Sequence, residues 1–226
     1  MPTAVPASRA LAWYAEAMRL WKRGPVTLSL LGVLTVVSQV ALELWPDAGT
    51  LAAKCIVPLI ACGMLYGAAA AAAGERPKLL HAFAAFRAPA SAIGAIIVSS
   101  TLTFAAEWFV ADALAGVNLL RPSSNTTELD ATTVLAIYGA GILVSLPMSL
   151  VPLAALFGGA GFGASFAESF GAFARNPGAF LLYGAVAFVL LAIGLLTMGI
   201  GLVIALPLIA CATYAAWADL RSLGPA

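Results

Sequence analysis

Apolar residues fall in six long blocks along the chain, and short segments between the blocks carry most of the charge. The blocks cover residues 26–45, 51–73, 92–114, 132–157, 178–197 and 200–218. Each block is about as long as the roughly 20 residues that an α-helix needs to cross a bilayer. The pattern predicts an all-α integral membrane protein with about six transmembrane helices arranged in three hairpins.

The last two blocks form one apolar run of about 40 residues, which is too long for a single helix across a hydrocarbon core of about 30 Å. Gly199 and Gly201 lie near the middle of this run. Glycines allow the backbone angles that a tight turn requires. We therefore expect two helices joined by a turn at residues 197–201, with one long tilted helix as the alternative.

The composition supports a membrane location. Hydrophobic residues make up 62% of the 226 residues and charged residues only 9%, whereas soluble domains are about one quarter charged. The formal net charge is +1, which gives no overall attraction to nucleic acid. We therefore expect no nucleic-acid partner.

The basic residues predict the orientation in the membrane. Nine of the eleven lysines and arginines fall in the segments that would share one side with the termini. They are Arg9, Arg19, Lys22, Arg23, Arg76, Lys78, Arg87, Arg175 and Arg221. Because basic loops stay in the cytoplasm, both termini are expected to be cytoplasmic.

Three segments that precede the predicted hairpins share a pattern. Residues 16–25 and 168–177 both have Glu, two bulky apolar residues, Arg and Pro at identical offsets, and residues 81–89 are a copy shortened by one position. We interpret the chain as a single membrane domain built from three repeat-like units. The domain is 1–226 and the units are 8–73, 77–157 and 162–220.

Each of these segments is expected to form an amphipathic helix. Apolar residues from Leu11 to Trp21 recur at helical spacing, and phenylalanines from Phe162 to Phe173 repeat this opposite serines and charges. Pro77 is suited to open the middle helix. Such helices should lie in the cytoplasmic interface, with the aromatic face in lipid and the charges towards water.

These interfacial helices can act as ordinary connections that place the hairpins, or as a contact surface for anionic lipid or a partner protein. The partners we consider are membrane lipids, another membrane protein or a second copy of the chain. The candidate contact residues are Arg19, Trp21, Arg23, Phe83, Phe86, Arg87, Phe170, Phe173 and Arg175.

Acidic residues near the outer side are the candidates for ligand or ion binding. Glu107 falls inside the third predicted span, where a carboxylate is costly unless it is paired, faces a cavity or lies near the interface; Asp112 is closer to water. Glu43 and Lys54 flank the first outer turn and are expected to pair across it. In the alternative interpretation, Glu43, Asp47, Glu107 and Asp112 form an acidic vestibule that attracts cations or lipid amines.

Four prolines, at positions 58, 147, 152 and 207, fall inside predicted spans. A proline in a span either kinks the helix or frees carbonyl groups for a ligand or a hinge. Pro147 and Pro152 lie close together, so the fourth span is expected to be broken.

The sequence lacks the signatures of common catalytic sites. It has no HExxH, no GxSxG, no phosphate-binding loop and no dinucleotide fingerprint. His81 is its one histidine, and the three cysteines lack CxxC spacing. We expect a non-enzymatic protein without a metal or cofactor.

The chain resembles a group of uncharacterised bacterial six-span inner-membrane proteins. The residues that carry the resemblance are Arg175-Asn-Pro-x-x-Phe180 and the closing Tyr214-x-x-Trp217-x-Asp219-Leu220. It is also similar to the membrane-anchor portion of certain glycerophosphodiester phosphodiesterases, although their catalytic barrel has no counterpart here. The resemblance implies architecture and cellular location rather than chemistry.

The leading functional hypothesis from sequence is a membrane protein that interacts with lipid or organises a membrane complex through its cytoplasmic interfacial helices. The alternative is a small transporter or channel that uses Glu107 and the proline-broken fourth span.

Overall fold

A computed structural model describes residues 4–45, 48–120 and 129–223, and the regular structure in these ranges is entirely helical. The α-helices are α1 Arg9–Lys22, α2 Pro25–Glu43, α3 Gly49–Ala72, α4 Ala90–Ala115, α5 Ala131–Ser145, α6 Val151–Leu156, α7 Phe162–Arg175, α8 Pro177–Leu196 and α9 Leu202–Ser222. Short 3₁₀ segments occupy Leu79–Phe83, Ala85–Arg87 and Leu146–Met148.

Six helical stretches are long and apolar enough to cross a membrane. They are Pro25–Glu43, Gly49–Ala72, Ala90–Ala115, Ala131–Leu156, Pro177–Leu196 and Leu202–Ser222. These are the six blocks that the sequence predicts, with ends displaced by a few residues. The prediction of an all-α, multi-pass membrane protein is therefore confirmed.

Local sequence signals explain where several helices begin and end. Pro25 and Pro177 occupy the first turns of α2 and α8, where the missing N–H has no intrahelical partner to lose. The Asp130 carboxylate accepts the Thr133 N–H at 2.7 Å and caps α5. Gly116 ends α4 in the left-handed conformation, with φ 64°.

Helix α3 lies at the centre of the bundle and packs against α2, α4 and α9. In the most apolar 18-residue window of α3, 56% is buried inside the protein, whereas the corresponding share for α4 is 17%. Gly63 and Gly67 allow the close approach, because a Cβ atom at residue 67 would lie 2.7 Å from Leu28 of α2. Small residues at a helix interface let neighbouring segments pack closely within a membrane.

Helices α8 and α9 are separate, as the glycine pattern predicts, and the alternative of one long helix is wrong. The chain reverses through Met198 at φ 56° and Gly199 at φ 82°. The Gly199 N–H donates to the Gly194 carbonyl at 3.0 Å, which satisfies one of the last carbonyls of α8.

The middle amphipathic α-helix expected from the sequence does not form. Residues 79–87 instead make two 3₁₀ segments, and Ala88 is extended with ψ 160° because Pro89 follows it. The backbone of Ala82 is seated against Gly63 of α3, where a Cβ atom would lie 2.6 Å from Ala82 Cα. Packing against α3 and the flanking proline therefore override the helical periodicity.

The first and third predicted amphipathic helices, α1 and α7, both form. Helix α1 packs against α9, where Trp13 bonds to Asp219, whereas Leu11 of the predicted apolar stripe is exposed. In α7 the serines opposite the phenylalanines are buried, while Phe170 is 47% exposed. Helix α7 therefore packs on the protein through its serines, and the placement of the aromatic residues in lipid and of the charges in water stays a prediction.

Candidate functional site

Polar residues on α4 form a stripe within an otherwise apolar helix. Ser99, Thr103 and Glu107 are spaced by four residues, so they lie on one face of the helix. The hydroxyl of Ser99 donates to Ile96 O at 2.9 Å, and that of Thr103 donates to Ser99 O at 3.1 Å. Because both hydroxyl protons are donated to carbonyl groups of the same helix, Ser99 and Thr103 are available to a ligand as hydrogen-bond acceptors.

This stripe lines a cavity of about 560 Å³ among α2, α3, α4, α9 and the segment that joins α5 to α6. Much of the wall is apolar, with Val57, Ile96 and Leu206 among its residues. The polar side chains that line it are Gln39, Lys54, Ser99, Ser100, Thr103, Glu107, Ser145, Ser149 and Thr213. An apolar cavity with a few convergent polar groups is the usual form of a small-molecule site.

Glu107 is the acidic residue of the cavity wall. It packs against α5 at Gly141, where a Cβ atom would lie 2.8 Å from Glu107 Cγ. No described side chain or backbone group hydrogen-bonds to its carboxylate, and no described basic residue lies within 4 Å of it. A carboxylate in this position is available to a group that enters the cavity.

Lys54 is the basic residue of the same wall. Its ammonium group lies 4.3 Å from the centroid of the Phe104 ring, a distance suited to a cation–π interaction. The structure thus brings Lys54 and Glu107 to one site, although they belong to different helices.

The expected ion pair between Glu43 and Lys54 does not form. The Glu43 carboxylate instead accepts a hydrogen bond from the Gln39 side chain, one turn earlier on α2. Glu43 and Asp112 are both exposed and neither lines the cavity. The fourth member of the proposed acidic vestibule, Asp47, lies outside the described residues, so that vestibule stays a prediction.

The fourth apolar stretch is broken beside the cavity, as its prolines predict. The 3₁₀ segment Leu146–Met148 separates α5 from α6, and Pro152 and Pro58 line the cavity. Ser169 of α7 stabilises the break: its hydroxyl donates to Pro147 O at 2.7 Å and accepts the Leu150 N–H at 3.1 Å.

The candidate contact residues on α1 have partners within the protein. Arg23 donates to Ala71 O at 2.5 Å, close to the C-terminus of α3, where a positive charge is favourable. Trp21 Nε1 donates to Ser29 Oγ at 3.3 Å, and Arg19 pairs with Glu16 at 3.0 Å. Arg23 and Trp21 therefore hold α1 against its neighbours.

The other candidate contact residues divide into two groups. Phe173 packs on Phe180 with ring centroids 5.8 Å apart and is partly buried. The exposed ones are Phe83, Phe86, Arg87, Phe170 and Arg175. Neither Arg87 nor Arg175 makes a hydrogen bond or ion pair with a described residue.

Sequence reasoning missed two polar connections that place the terminal helices. The Asp219 carboxylate of α9 accepts bonds from Arg9 at 2.6 and 2.8 Å and from Trp13 at 2.9 Å. Asn176, buried before α8, accepts the Val5 N–H at 2.7 Å and donates to Ala172 O at 3.0 Å. No local sequence pattern signals the bond between Arg9 and Asp219, because these residues are 210 positions apart in the sequence.

Within the described ranges, no group of three or more His, Cys, Asp or Glu side chains could hold a metal ion. Comparisons with protein-family models, curated proteins and solved structures gave no match to the chain. The resemblance to bacterial membrane-anchor proteins therefore stays a prediction. The fold defines the class as an all-α membrane protein with six apolar helices, five of which line a mostly apolar cavity that contains a few polar side chains.

Proposed function

We propose that the protein is a non-enzymatic transporter or channel that binds a small, positively charged amphiphile in the cavity lined by Glu107. The observation that carries this proposal is the Glu107 carboxylate, which lines the cavity without a hydrogen-bonding partner among the described residues. A carboxylate kept inside a membrane helix despite its cost is commonly part of a substrate or ion pathway.

The cavity supports an amphiphilic cation as the ligand. A cationic group near Glu107 would be attracted strongly, because charges interact more strongly in a low-dielectric interior than in water. The walls around Val57, Ile96 and Leu206 would contact the apolar part of the ligand. The volume of about 560 Å³ falls within the range typical of small-molecule sites.

The helix break beside the cavity supports movement as well as binding. Pro58 and Pro152 line the cavity, and the 3₁₀ segment Leu146–Met148, which interrupts the fourth apolar stretch, contributes Met148 to its wall. Interrupted membrane helices with substrate sites beside them are a recurrent feature of transporters. In this proposal the chain lies in the bacterial inner membrane as three hairpins, with both termini cytoplasmic.

Glu107→Gln is expected to reduce binding of the lipophilic cation tetraphenylphosphonium by at least about tenfold, or 1.4 kcal/mol. The measurement is equilibrium binding to the protein in nanodiscs, followed by uptake into proteoliposomes. Asp112→Asn, on the exposed part of the same helix, is the matched control and should change binding little.

Lys54→Gln tests whether the cavity is a site for cations or for anions. Removing this positive charge from the wall should tighten cation binding. If the cavity were a site for anions, the same variant would bind its anion more weakly. If Glu107→Gln and Asp112→Asn weaken cation binding equally, or if Lys54→Gln weakens it, the assignment of the cavity is wrong.

Exposed aromatic residues favour a second candidate function, association with membrane lipid through the segments between the apolar helices. Phe83 is 53% exposed and Phe170 is 47% exposed, on segments that adjoin the ends of membrane helices. Aromatic rings at such ends are suited to the bilayer interface. In this candidate the surface of α7, which ends at Arg175, contacts anionic lipid directly.

The second candidate predicts that the double variant Phe170→Ser with Arg175→Glu retains severalfold less anionic phospholipid on purification. Native mass spectrometry of the protein in nanodiscs measures the bound lipid and also reveals a protein partner or a second copy. Ala174→Ser, on the exposed side of the same helix, is the control. Equal lipid retention by the unmodified protein, the double variant and Ala174→Ser would contradict this candidate.

A further inference from the structure

A second cavity lies where the 3₁₀ segments meet α3. Its volume is about 580 Å³, and its wall combines Tyr66 of α3 with residues from Leu80 to Ala88. Because the segment from 77 to 88 joins two membrane-spanning helices, α3 and α4, this cavity lies at a boundary of the membrane. It shares no lining residue with the cavity around Glu107.

Three hydrogen-bond donors of different kinds line this second cavity. The Arg87 guanidinium and the Tyr66 hydroxyl have no hydrogen-bonding partner among the described residues, although both belong to the wall. His81 Nδ1 accepts the Lys78 N–H at 3.4 Å, which leaves the proton of a neutral imidazole on Nε2. An oxyanion with several acceptor atoms is the ligand that such a set of donors suits.

The charge around the cavity is also suited to an anion. Residues 75–88 contain three cationic side chains, Arg76, Lys78 and Arg87, against one carboxylate, Glu75, which gives a net charge of +2. Glu75 does not line the cavity. Partial burial lowers the pKa of His81, and the nearby Lys78 lowers it further, while Glu75 opposes them. The lowered pKa favours the neutral imidazole, whose Nε2–H can donate into the cavity.

The rim of the cavity is apolar and exposed. Leu80 is 77% exposed and Phe83 is 53% exposed, and both belong to the wall. Tyr66 lies six residues before the end of α3, which places it about 9 Å inside that end of the helix. A free phosphate ion would make no use of these apolar groups, whereas the acyl chains of a phospholipid would cover them.

The backbone that carries the donors is held firmly in place. Ala82 lies directly against Gly63, and Pro77 packs against Gly24, where a Cβ atom would lie 2.8 Å from the proline ring. These contacts hold the 3₁₀ segment Leu79–Phe83 against α3 and the preceding Pro77 against the residue before α2. A site with a fixed backbone loses less entropy when it binds a ligand.

We infer that Tyr66, His81 and Arg87 form a binding site for the phosphate group of an anionic phospholipid, whose acyl chains lie over Leu80 and Phe83. This inference goes beyond the cation cavity. It also specifies one binding site for the second candidate function, association with membrane lipid. It depends on that candidate only in assuming that the connecting segments contact lipid.

The test uses the full chain in phosphatidylcholine nanodiscs into which phosphatidylglycerol is titrated, with native mass spectrometry counting the lipid retained. We expect one tightly held phosphatidylglycerol per chain. Arg87→Ala should weaken its binding about tenfold, the amount typical of a lost charge-assisted hydrogen bond. Tyr66→Phe, which changes no charge, should weaken binding about threefold.

Arg76→Ala is the matched control, because it removes the same charge from the same connecting segment but from outside the cavity. If Arg76→Ala and Arg87→Ala weaken binding equally, the lipid responds only to overall charge and the proposed site is wrong. If millimolar inorganic phosphate displaces the lipid, the ligand is the free ion and the assignment to a phospholipid is overturned.

A further variant separates this inference from the proposed cation site. Glu107→Gln should leave the tightly held phosphatidylglycerol unchanged, since Glu107 does not line this cavity. Loss of that lipid in Glu107→Gln would contradict an independent site. Loss of cation binding in Glu107→Gln with the lipid retained would support both assignments.

Discussion

Gly63→Ala is expected to destabilise the protein by about 2 kcal/mol. The added Cβ atom would lie 2.6 Å from Ala82 Cα and 2.8 Å from Ala82 N, and these are backbone atoms that cannot rotate away. Overpacking of this kind costs about 3 kcal/mol, at the upper end of the usual range. The higher helix propensity of alanine returns only about 1 kcal/mol. The cost of the clash exceeds this gain, so the net effect of Gly63→Ala on stability is destabilising.

Thermal unfolding in detergent micelles measures this effect, and Gly94→Ala is the control. Gly94 also lies inside a membrane helix, but a Cβ atom there would make an ordinary contact of 3.7 Å with Phe162. That variant should be as stable as the unmodified protein or slightly more stable. A Gly63→Ala protein that is also more stable would show that the 3₁₀ segment is not seated against α3 as described.

Ser169→Ala is expected to destabilise the protein by about 2–4 kcal/mol. The serine is 1% exposed, and its hydroxyl satisfies two backbone groups at the break between α5 and α6, the Pro147 carbonyl and the Leu150 N–H. Each buried backbone group that loses its partner costs about 1–3 kcal/mol. Because the break borders the Glu107 cavity, the variant should also weaken cation binding.

Ser165→Ala, one turn earlier on the same buried face of α7, is the matched control. Its hydroxyl donates only to Ala160 O and Gly161 O, and Gly161 O also accepts the Ser165 N–H. Ser165→Ala should therefore lower the free energy of unfolding by less than about 1 kcal/mol. The measurement is the difference in unfolding temperature between the two variants under identical conditions. Equal losses would indicate that Ser169 contributes volume rather than hydrogen bonds.

The candidate site was only partly predictable. Glu107 stands out in the sequence because a carboxylate is rare within an apolar block, and the pattern Ser99-x₃-Thr103-x₃-Glu107 shows that α4 has a polar stripe. Lys54 was expected to pair with Glu43, its nearest opposite charge across a short turn. The structure places it by Phe104, because packing of α3 against α4 brings that ring beneath the ammonium group.

The interfacial segments show where periodicity fails. The phenylalanines of α7 and the apolar residues of 79–87 have similar spacing, yet α7 is an α-helix and 79–87 is not. The difference lies in the surroundings: Pro89 restricts the end of the middle segment, and Gly63 lets its backbone approach α3. Which face of α7 is buried depends on the broken span, whose Pro147 carbonyl and Leu150 N–H are satisfied by the Ser169 hydroxyl.

By itself, the sequence determined the number of apolar helices, their approximate ends, the turn at residues 197–201 and the break between Pro147 and Pro152. These properties depend on helix length, apolar content and the local preferences of proline and glycine. Only the tertiary structure decided which residues share a cavity and which faces of α1 and α7 are buried. Those outcomes depend on contacts such as Arg9 to Asp219 and Ser169 to Leu150, between residues that no local pattern connects.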